Sequence, residues 1–254
     1  MRPSATVHTF IRKCGFELRR IPSNRHCAES TYAPYSMQQR LLELRNLGFR
    51  PQYFLDGGAN LGDLSMRFIQ TFPSARSYLF EPMQELAPGL NAFVESHPGC
   101  KFFPGALSSA TGVAVMHVDP TCDPKLASQS LAAKPTPHTT PRHVKTYCID
   151  DLLDKGDIHM PEVIKLVVEG YELEVLKGAS KTFGQTEVYI LAANFWKVGN
   201  KPDLNDVITY MGNHGYVPYD FGGLVRRPRD WAPGLVYILF VKRDGFFRRS
   251  TSWV

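Results

Sequence analysis

The residues with the clearest chemical potential lie early in the chain. Residues 53–62 read YFLDGGANLG, in which an apolar run ends at Asp56 and small residues continue to Gly62. Residues 63–72, DLSMRFIQTF, follow with the apolar spacing of a helix. A strand, a glycine loop and a helix in this order are typical of the first unit of a nucleotide-binding α/β fold. The glycines of the loop would let a ligand approach the backbone closely.

A second acid stands where the next apolar run, RSYLFEP, ends. Its carboxylate, Glu81, can accept two charge-assisted hydrogen bonds from the hydroxyls of a ribose. The alternative is that Glu81 only caps the following helix. The first acid, Asp56, suits an ammonium group.

Three ligand classes compete for the glycine loop. A dinucleotide loop reads G-x-G-x-x-G, which the spacing of Gly57, Gly58 and Gly62 does not fit. A phosphate-binding P-loop requires a lysine directly after its last glycine, and none follows Gly62. The spacing D-x-G-x-x-x-G is typical of enzymes that bind S-adenosylmethionine, and it is the pattern that remains.

The elements that position these residues alternate along the chain. Helical spacing over about 37–47, 84–97 and 203–213 separates apolar runs, which predicts a doubly wound, mostly parallel sheet. The run VIKLVV at 163–168 is apolar except for one lysine, as expected of a strand buried on both faces. Runs at about 215–219 and 235–241 predict an antiparallel edge.

One segment, 119–143, breaks this alternation. It contains five prolines and little periodicity, and a loop of that length is typical of a functional lid. His143 at its end is a candidate general base, since imidazole titrates near neutrality. The alternative is a solvated loop histidine.

Composition sets the class of protein. The 254 residues carry a net charge of +5 and no long apolar stretch, so we expect one domain and no membrane-spanning helix. Five scattered cysteines without a CxxC pair argue against a disulfide framework and a zinc site, and favour the cytoplasm. Basic residues gather near both ends. They indicate either solvated tails or contact with an anionic membrane or an acidic substrate, and no nucleic-acid signature is present.

Four stretches of the chain, within about residues 35–241, resemble the FkbM family of methyltransferases. They are FLDGGANLG, FEP, VKTYCIDDLL and IKLVVEGYELEVLKGA. The resemblance implies a Rossmann-like class I methyltransferase fold with a seven-stranded, mostly parallel sheet and an antiparallel edge strand. We expect the domain to span 37–254, after an N-terminal extension over 1–36. The family uses S-adenosylmethionine to methylate hydroxyls on sugars, glycolipids or polyketide-type metabolites, which makes a small-molecule hydroxyl acceptor the expected partner.

The resemblance and the motifs together assign roles to individual residues. Glu169 becomes a candidate for substrate contact or catalysis, with favourable charge at a helix start as its alternative. The residues expected to bind the cofactor are Asp56, Gly58, Asn60, Gly62, Glu81, Pro82, Ala106, Leu107 and Ser130. A divalent metal is possible in the family, but the acids that would hold it are missing here.

Two positions depart from the family pattern. Val167 stands where the hallmark has an aspartate, and Ala192 stands where a glutamate is expected. Both lie at the carboxyl ends of predicted central strands, where reacting groups meet. We therefore weigh a second hypothesis, an S-adenosylmethionine-binding protein with impaired catalysis.

Overall fold

The structure is a computed structural model that describes residues 36–123, 131, 135–199 and 201–250. Every described residue belongs to one compact unit, Tyr32–Val254. The extension expected over 1–36 lies outside the described residues except for Ser36, and the expected cofactor contact Ser130 also lies outside them.

Seven strands form the main sheet, in the order β3-β2-β1-β7-β8-β10-β9. Their bounds are β1 Tyr53–Gly57, β2 Arg76–Glu81, β3 Lys101–Pro104, β7 Val163–Leu166, β8 Val188–Asn194, β9 Tyr216–Arg226 and β10 Pro233–Lys242. The first five strands in that order are parallel, and β10 pairs antiparallel with both β8 and β9. The predicted seven-stranded, mostly parallel sheet is confirmed. Its antiparallel strand, β10, lies between β8 and the edge strand β9.

Three further strands form a small second sheet, in the order β4-β6-β5. They are β4 Ala106–Leu107, β5 Gly112–Val118 and β6 Thr140–Tyr147. The predicted loop over 119–143 is therefore too long at its end, because residues 140–143 pair with β5. The connection between these two antiparallel strands is 119–139, and most of 124–134 lies outside the described residues.

Helices lie between the strands. Their bounds are α1 Met37–Asn46, α2 Asp63–Thr71, α3 Ala87–Ser96, α4 Ile149–Asp154, α5 Glu172–Lys177 and α6 Leu204–Asn213. Side chains close several of their first turns: Ser36 accepts from the amide of Gln39, and Asp203 forms a capping box on α6. Asp150, in the first turn of α4, accepts hydrogen bonds from the amides of Ser180 and Lys181.

The core lies on both faces of the main sheet. On one face, Leu55, Ile164 and Leu191 are fully buried in a cluster that includes α5 and α6. On the other face, residues such as Phe54 and Ile190 pack against α1 and α2. Burial on both faces explains the continuous apolar runs of the central strands. The carboxyl ends of these parallel strands are where a ligand site is expected in such a sheet.

Candidate functional site

A cavity of about 900 Å³ opens at the carboxyl ends of β1, β2 and β7. This volume is at the upper end of the range for ligand pockets. The predicted site residues that line it are Gly58, Asn60, Glu81, Pro82, Ala106, Leu107 and Glu169. The sequence therefore identified most of one wall of the cavity.

The glycine loop forms the floor of the cavity. Gly58 has a φ of +73°, and a Cβ at this position would lie 2.1 Å from the carbonyl oxygen of Val167. The amides of Gly58 and Ala59 both donate to the carbonyl of Phe80, which ties the loop to β2. Only glycine fits this position. Gly62, with a φ of +79°, lies behind the cavity and begins α2.

Asp56 does not face the cavity, which corrects its expected role in binding an ammonium group. Its side chain is fully buried, with Oδ1 lying 2.9 Å from Nζ of Lys165 and Oδ2 accepting from the hydroxyl of Ser65. The same Nζ donates to the carbonyls of Gly57 and Gly58, at 3.0 and 2.6 Å. The ammonium thus donates two hydrogen bonds to the loop backbone and forms an ion pair with Asp56.

Lys165 was missed as a functional residue, although its signal was visible in the sequence. It is the one charged residue in the apolar run VIKLVV. A lysine is seldom fully buried unless it is paired, so the run itself indicated a buried acid nearby. The structure identifies that acid as Asp56.

Glu81 lines the cavity at the end of β2. Its Oε2 accepts from the amide of Asn60 at 2.9 Å and its Oε1 accepts from the amide of Met83 at 3.0 Å. Each carboxylate oxygen keeps a second lone pair for a ligand. Burial raises the pKa of Glu81, against the lowering effect of these two hydrogen bonds. The contact with Met83 means that Glu81 also stabilises the turn after β2.

Apolar side chains enclose the cavity beyond Glu81. Ala106 and Leu107 lie there as expected. Three more lining residues, Met83, Met116 and Leu131, were not predicted. Met116 lies on β5 of the small sheet, so this wall depends on a strand that no local motif connects with the glycine loop. A flat apolar ring fits such a wall.

The two positions that depart from the family pattern are neighbours. The register Leu166↔Leu191 brings the next residues, Val167 and Ala192, side by side on adjacent strands. Tyr237 on β10 pairs with Ala192 from the other side and lines the cavity. Tyr237 was missed because it lies on the last strand, far from every motif. Its pKa is raised by burial and by the nearby charge of Glu169.

The turn after β7 presents Glu169 to the cavity. Glu169 has a φ of +58°, a left-handed conformation that costs a non-glycine residue about 1–2 kcal/mol. The buried carboxylate of Glu172 accepts from the amides of Val168 and Gly170 and holds this turn. Burial raises the pKa of Glu172. Glu172 therefore shapes the turn, whereas Glu169 faces the site.

His143 is not brought to the cavity, so its expected role as a base is not supported. It lies on β6, pairs with Val115 in the small sheet and has an exposed side chain. In the part of the chain that the structure describes, no group of three or more His, Cys, Asp or Glu side chains could hold a metal ion. The described helices also include none that is long and apolar enough to cross a bilayer.

Comparison with known proteins gives one family match. The model of the methyltransferase FkbM domain matches residues 56–218, which is more than half of the chain. The matched region starts at the end of β1 and includes the glycine loop, Glu81 and Glu169. No curated protein sequence is significantly similar to this chain.

Several solved structures are similar at low identity. A methyltransferase FkbM from Methylobacillus flagellatus KT is 16% identical with a TM-score of 0.47, over 84% of this chain and 46% of that one. The chain thus spans about half the length of that protein. Magnesium protoporphyrin IX methyltransferase from Synechocystis PCC 6803, with bound S-adenosylhomocysteine, is 10% identical with a TM-score of 0.47, over 81% of each chain. Similarity at this level does not indicate a shared acceptor.

Proposed function

The chain belongs to the FkbM methyltransferase family, and on that basis we propose that it transfers a methyl group from S-adenosylmethionine to a hydroxyl oxygen of a small-molecule acceptor. The expected acceptor class is a sugar, a glycolipid or a polyketide-type metabolite. One observation carries the proposal: Glu81 and the Gly58 loop face the same cavity, with an apolar wall beyond them.

The lining residues fit the cofactor part by part. Glu81 has free lone pairs for the two ribose hydroxyls, and Ala106, Leu107 and Met83 suit the adenine ring. The absence of a side chain at Gly58 lets the loop pass close to the carbonyl of Val167, and the loop backbone then lines the cavity. Asp56 takes no direct part, because its carboxylate is used by Lys165 and Ser65.

On the acceptor side, Glu169 is the proposed base. S-adenosylmethionine supplies a methyl group on a sulfonium, whose departure leaves a neutral thioether. The acceptor hydroxyl must lose its proton as the new C–O bond forms. The carboxylate of Glu169 lines the cavity, and its charge acts on Tyr237, which lines the cavity too. The phenol of Tyr237 can donate a hydrogen bond to the acceptor oxygen.

A second candidate function is supported by Val167 and Ala192. If the acids expected there act as base or metal ligands in relatives, this chain binds the cofactor and turns over slowly or not at all. Positioning alone supplies about 7–11 kcal/mol of a barrier, whereas a general base adds about 10²–10⁴-fold. Loss of these acids therefore slows methyl transfer without abolishing it, unless they hold a required metal.

Two measurements separate the candidates. Calorimetric titration with S-adenosylmethionine tests binding, and a mass-shift screen of sugar and polyketide acceptors, with and without Mg²⁺, tests for the gain of one methyl group. Binding with a methylated product supports the enzyme. Binding without product on any acceptor supports the impaired protein, and failure to bind contradicts both.

A further inference from the structure

Six large apolar side chains are exposed together at one end of the main sheet. They follow β8 or belong to the β9–β10 hairpin, and we call them the hairpin patch: Phe195, Trp196, Val198, Leu224, Val225 and Trp231. Backbone contacts join the two segments, because the amide of Phe195 donates to the carbonyl of Gly234. The indole of Trp196 donates to the carbonyl of Pro233. The two segments that carry the patch are thus neighbours at this end of the sheet.

Leu224 and Val225 are consecutive strand residues, so their side chains point to opposite faces. Both are about half exposed, at 46% and 50%. A clustered apolar surface of this kind is typical of a docking site on a partner or a membrane.

Trp231, in the turn between β9 and β10, has a backbone conformation that is unfavourable for a bulky residue. It has a φ of +60°, a region that bulky residues seldom adopt, and its side chain is 71% exposed. Glycine or asparagine would fit this turn at lower cost. Because the indole of Trp231 is mostly exposed, packing within the protein does not explain why a tryptophan occupies this turn. The strained backbone of Trp231 therefore lowers stability while the indole faces solvent.

The patch is also basic. Arg227 is paired with Asp230 and lies over the ring of Trp196, at 4.4 Å from its centroid. Arg226 donates to the carbonyl of Trp231, and Arg229 is exposed. Among the described residues, no acid lies within ion-pair distance of Arg226 or Arg229. The tip therefore combines aromatic and aliphatic side chains with uncompensated positive charge.

This surface adjoins the acceptor side of the cavity. Gly222 on β9 and Tyr237 on β10 both line the cavity, two residues before Leu224 and two after Leu235. The hairpin patch therefore lies next to the part of the cavity that Gly222 and Tyr237 line.

We propose that the hairpin patch docks the protein on an anionic phospholipid membrane surface and turns the acceptor side of the cavity toward the lipid. Tryptophan is enriched at the membrane interface, and arginine is attracted by anionic headgroups. The combination favours a bilayer over a protein partner, for which unpaired arginines would require matching acids. The orientation of the acceptor side rests on the proposed function, whereas vesicle binding by the patch can be tested without methyl transfer.

The test is flotation of the 254-residue chain with phosphatidylcholine vesicles, with and without phosphatidylglycerol, in the absence of cofactor and acceptor. The chain is expected to bind the anionic vesicles preferentially. Trp231→Gly should weaken binding about tenfold or more, because one large apolar group no longer inserts. Arg229→Gln should weaken binding to the anionic vesicles about fivefold and leave the neutral ones unchanged.

Matched variants keep the result clear. Trp231→Gly should leave the thermal midpoint unchanged or raise it, and Trp231→Asn serves as a second variant that tolerates the same backbone. Val113→Ser, at an equally exposed position on β5, should bind like the unaltered chain. Absence of vesicle binding overturns the proposal. Unchanged vesicle binding in both Trp231→Gly and Trp231→Asn would also overturn the proposal, and would assign the membrane contact to another segment.

Discussion

The ammonium of Lys165 on β7 lies 2.9 Å from the carboxylate of Asp56 on β1, and Asp56 is fully buried. Asp56→Asn removes one charge of this pair and leaves the other buried. Such a loss costs about 3–5 kcal/mol of unfolding free energy, measurable by urea denaturation. The exposed Asp244→Asn is the control and should change little. A stable Asp56→Asn chain with weakened cofactor binding would instead indicate that Asp56 contacts the ligand.

The second prediction concerns Gly58. Gly58→Ala forces a methyl group against the carbonyl of Val167, so stability should fall by more than about 1 kcal/mol and cofactor affinity should fall with it. Gly89→Ala is the matched control, because a Cβ at that helical position meets no atom within 4 Å. That variant should be as stable as the parent or more so, by up to about 1 kcal/mol.

The affinity for S-adenosylmethionine should depend on pH through Glu81. Burial raises the pKa of this carboxyl, so protonation begins at a higher pH than in an exposed glutamate. The protonated form accepts fewer hydrogen bonds from ribose, and affinity should therefore fall as the pH is lowered through the raised pKa. Calorimetry across a pH series checks this. Glu81→Gln should bind weakly at every pH, and a parent-like pH dependence in that variant would contradict the assignment.

The proposed role of Glu169 as the base can be tested separately from its effect on protein stability. Glu169→Gln should lower the rate of methyl transfer by about 10²–10⁴-fold with little effect on cofactor affinity. Glu169→Gly should lower the rate similarly while raising the unfolding free energy by about 1 kcal/mol, because glycine relieves the left-handed backbone. Single-turnover kinetics and thermal melting measure the two effects. An unchanged rate in both variants would remove Glu169 from the reaction.

The fifth prediction tests the missing acids. The double variant Val167→Asp and Ala192→Glu should raise the rate if these positions once held a base or a metal, and any dependence on Mg²⁺ should appear only in that variant. Val167→Asn with Ala192→Gln has the same shape without the charge and should show no gain. An unchanged rate in the acidic variant would contradict the idea of a dismantled pair.

Local motifs predicted the parts of the site that lie at strand ends close to the glycine loop. Gly58 and Glu81 follow adjacent strands, so both their positions and the wall they share follow from the parallel order β2-β1. The seven-stranded sheet was likewise predictable, because each strand has its own apolar run. The burial of Asp56 against Lys165 was not predicted, because Lys165 lies on another strand and the sequence of β1 does not show which groups will meet it.

Other misses have a similar cause. The segment around His143 contains a proline and several polar residues, so the sequence predicted a loop there. The segment is a strand because it pairs with β5. Tyr237 reaches the cavity because β10 inserts antiparallel beside β8. The positions of His143 and Tyr237 both depend on strand pairing between distant segments, which local residue spacing does not predict.

The bond from Lys165 to the carbonyl of Gly58 joins residues 107 positions apart in the chain. The loop cannot take its ligand-ready shape until β7 has paired with β1, so an N-terminal fragment that stops before residue 163 would carry every glycine of the motif and still lack a binding cradle. Under the proposed function, the nucleoside site is therefore complete only after β7 has been synthesised and has paired with β1.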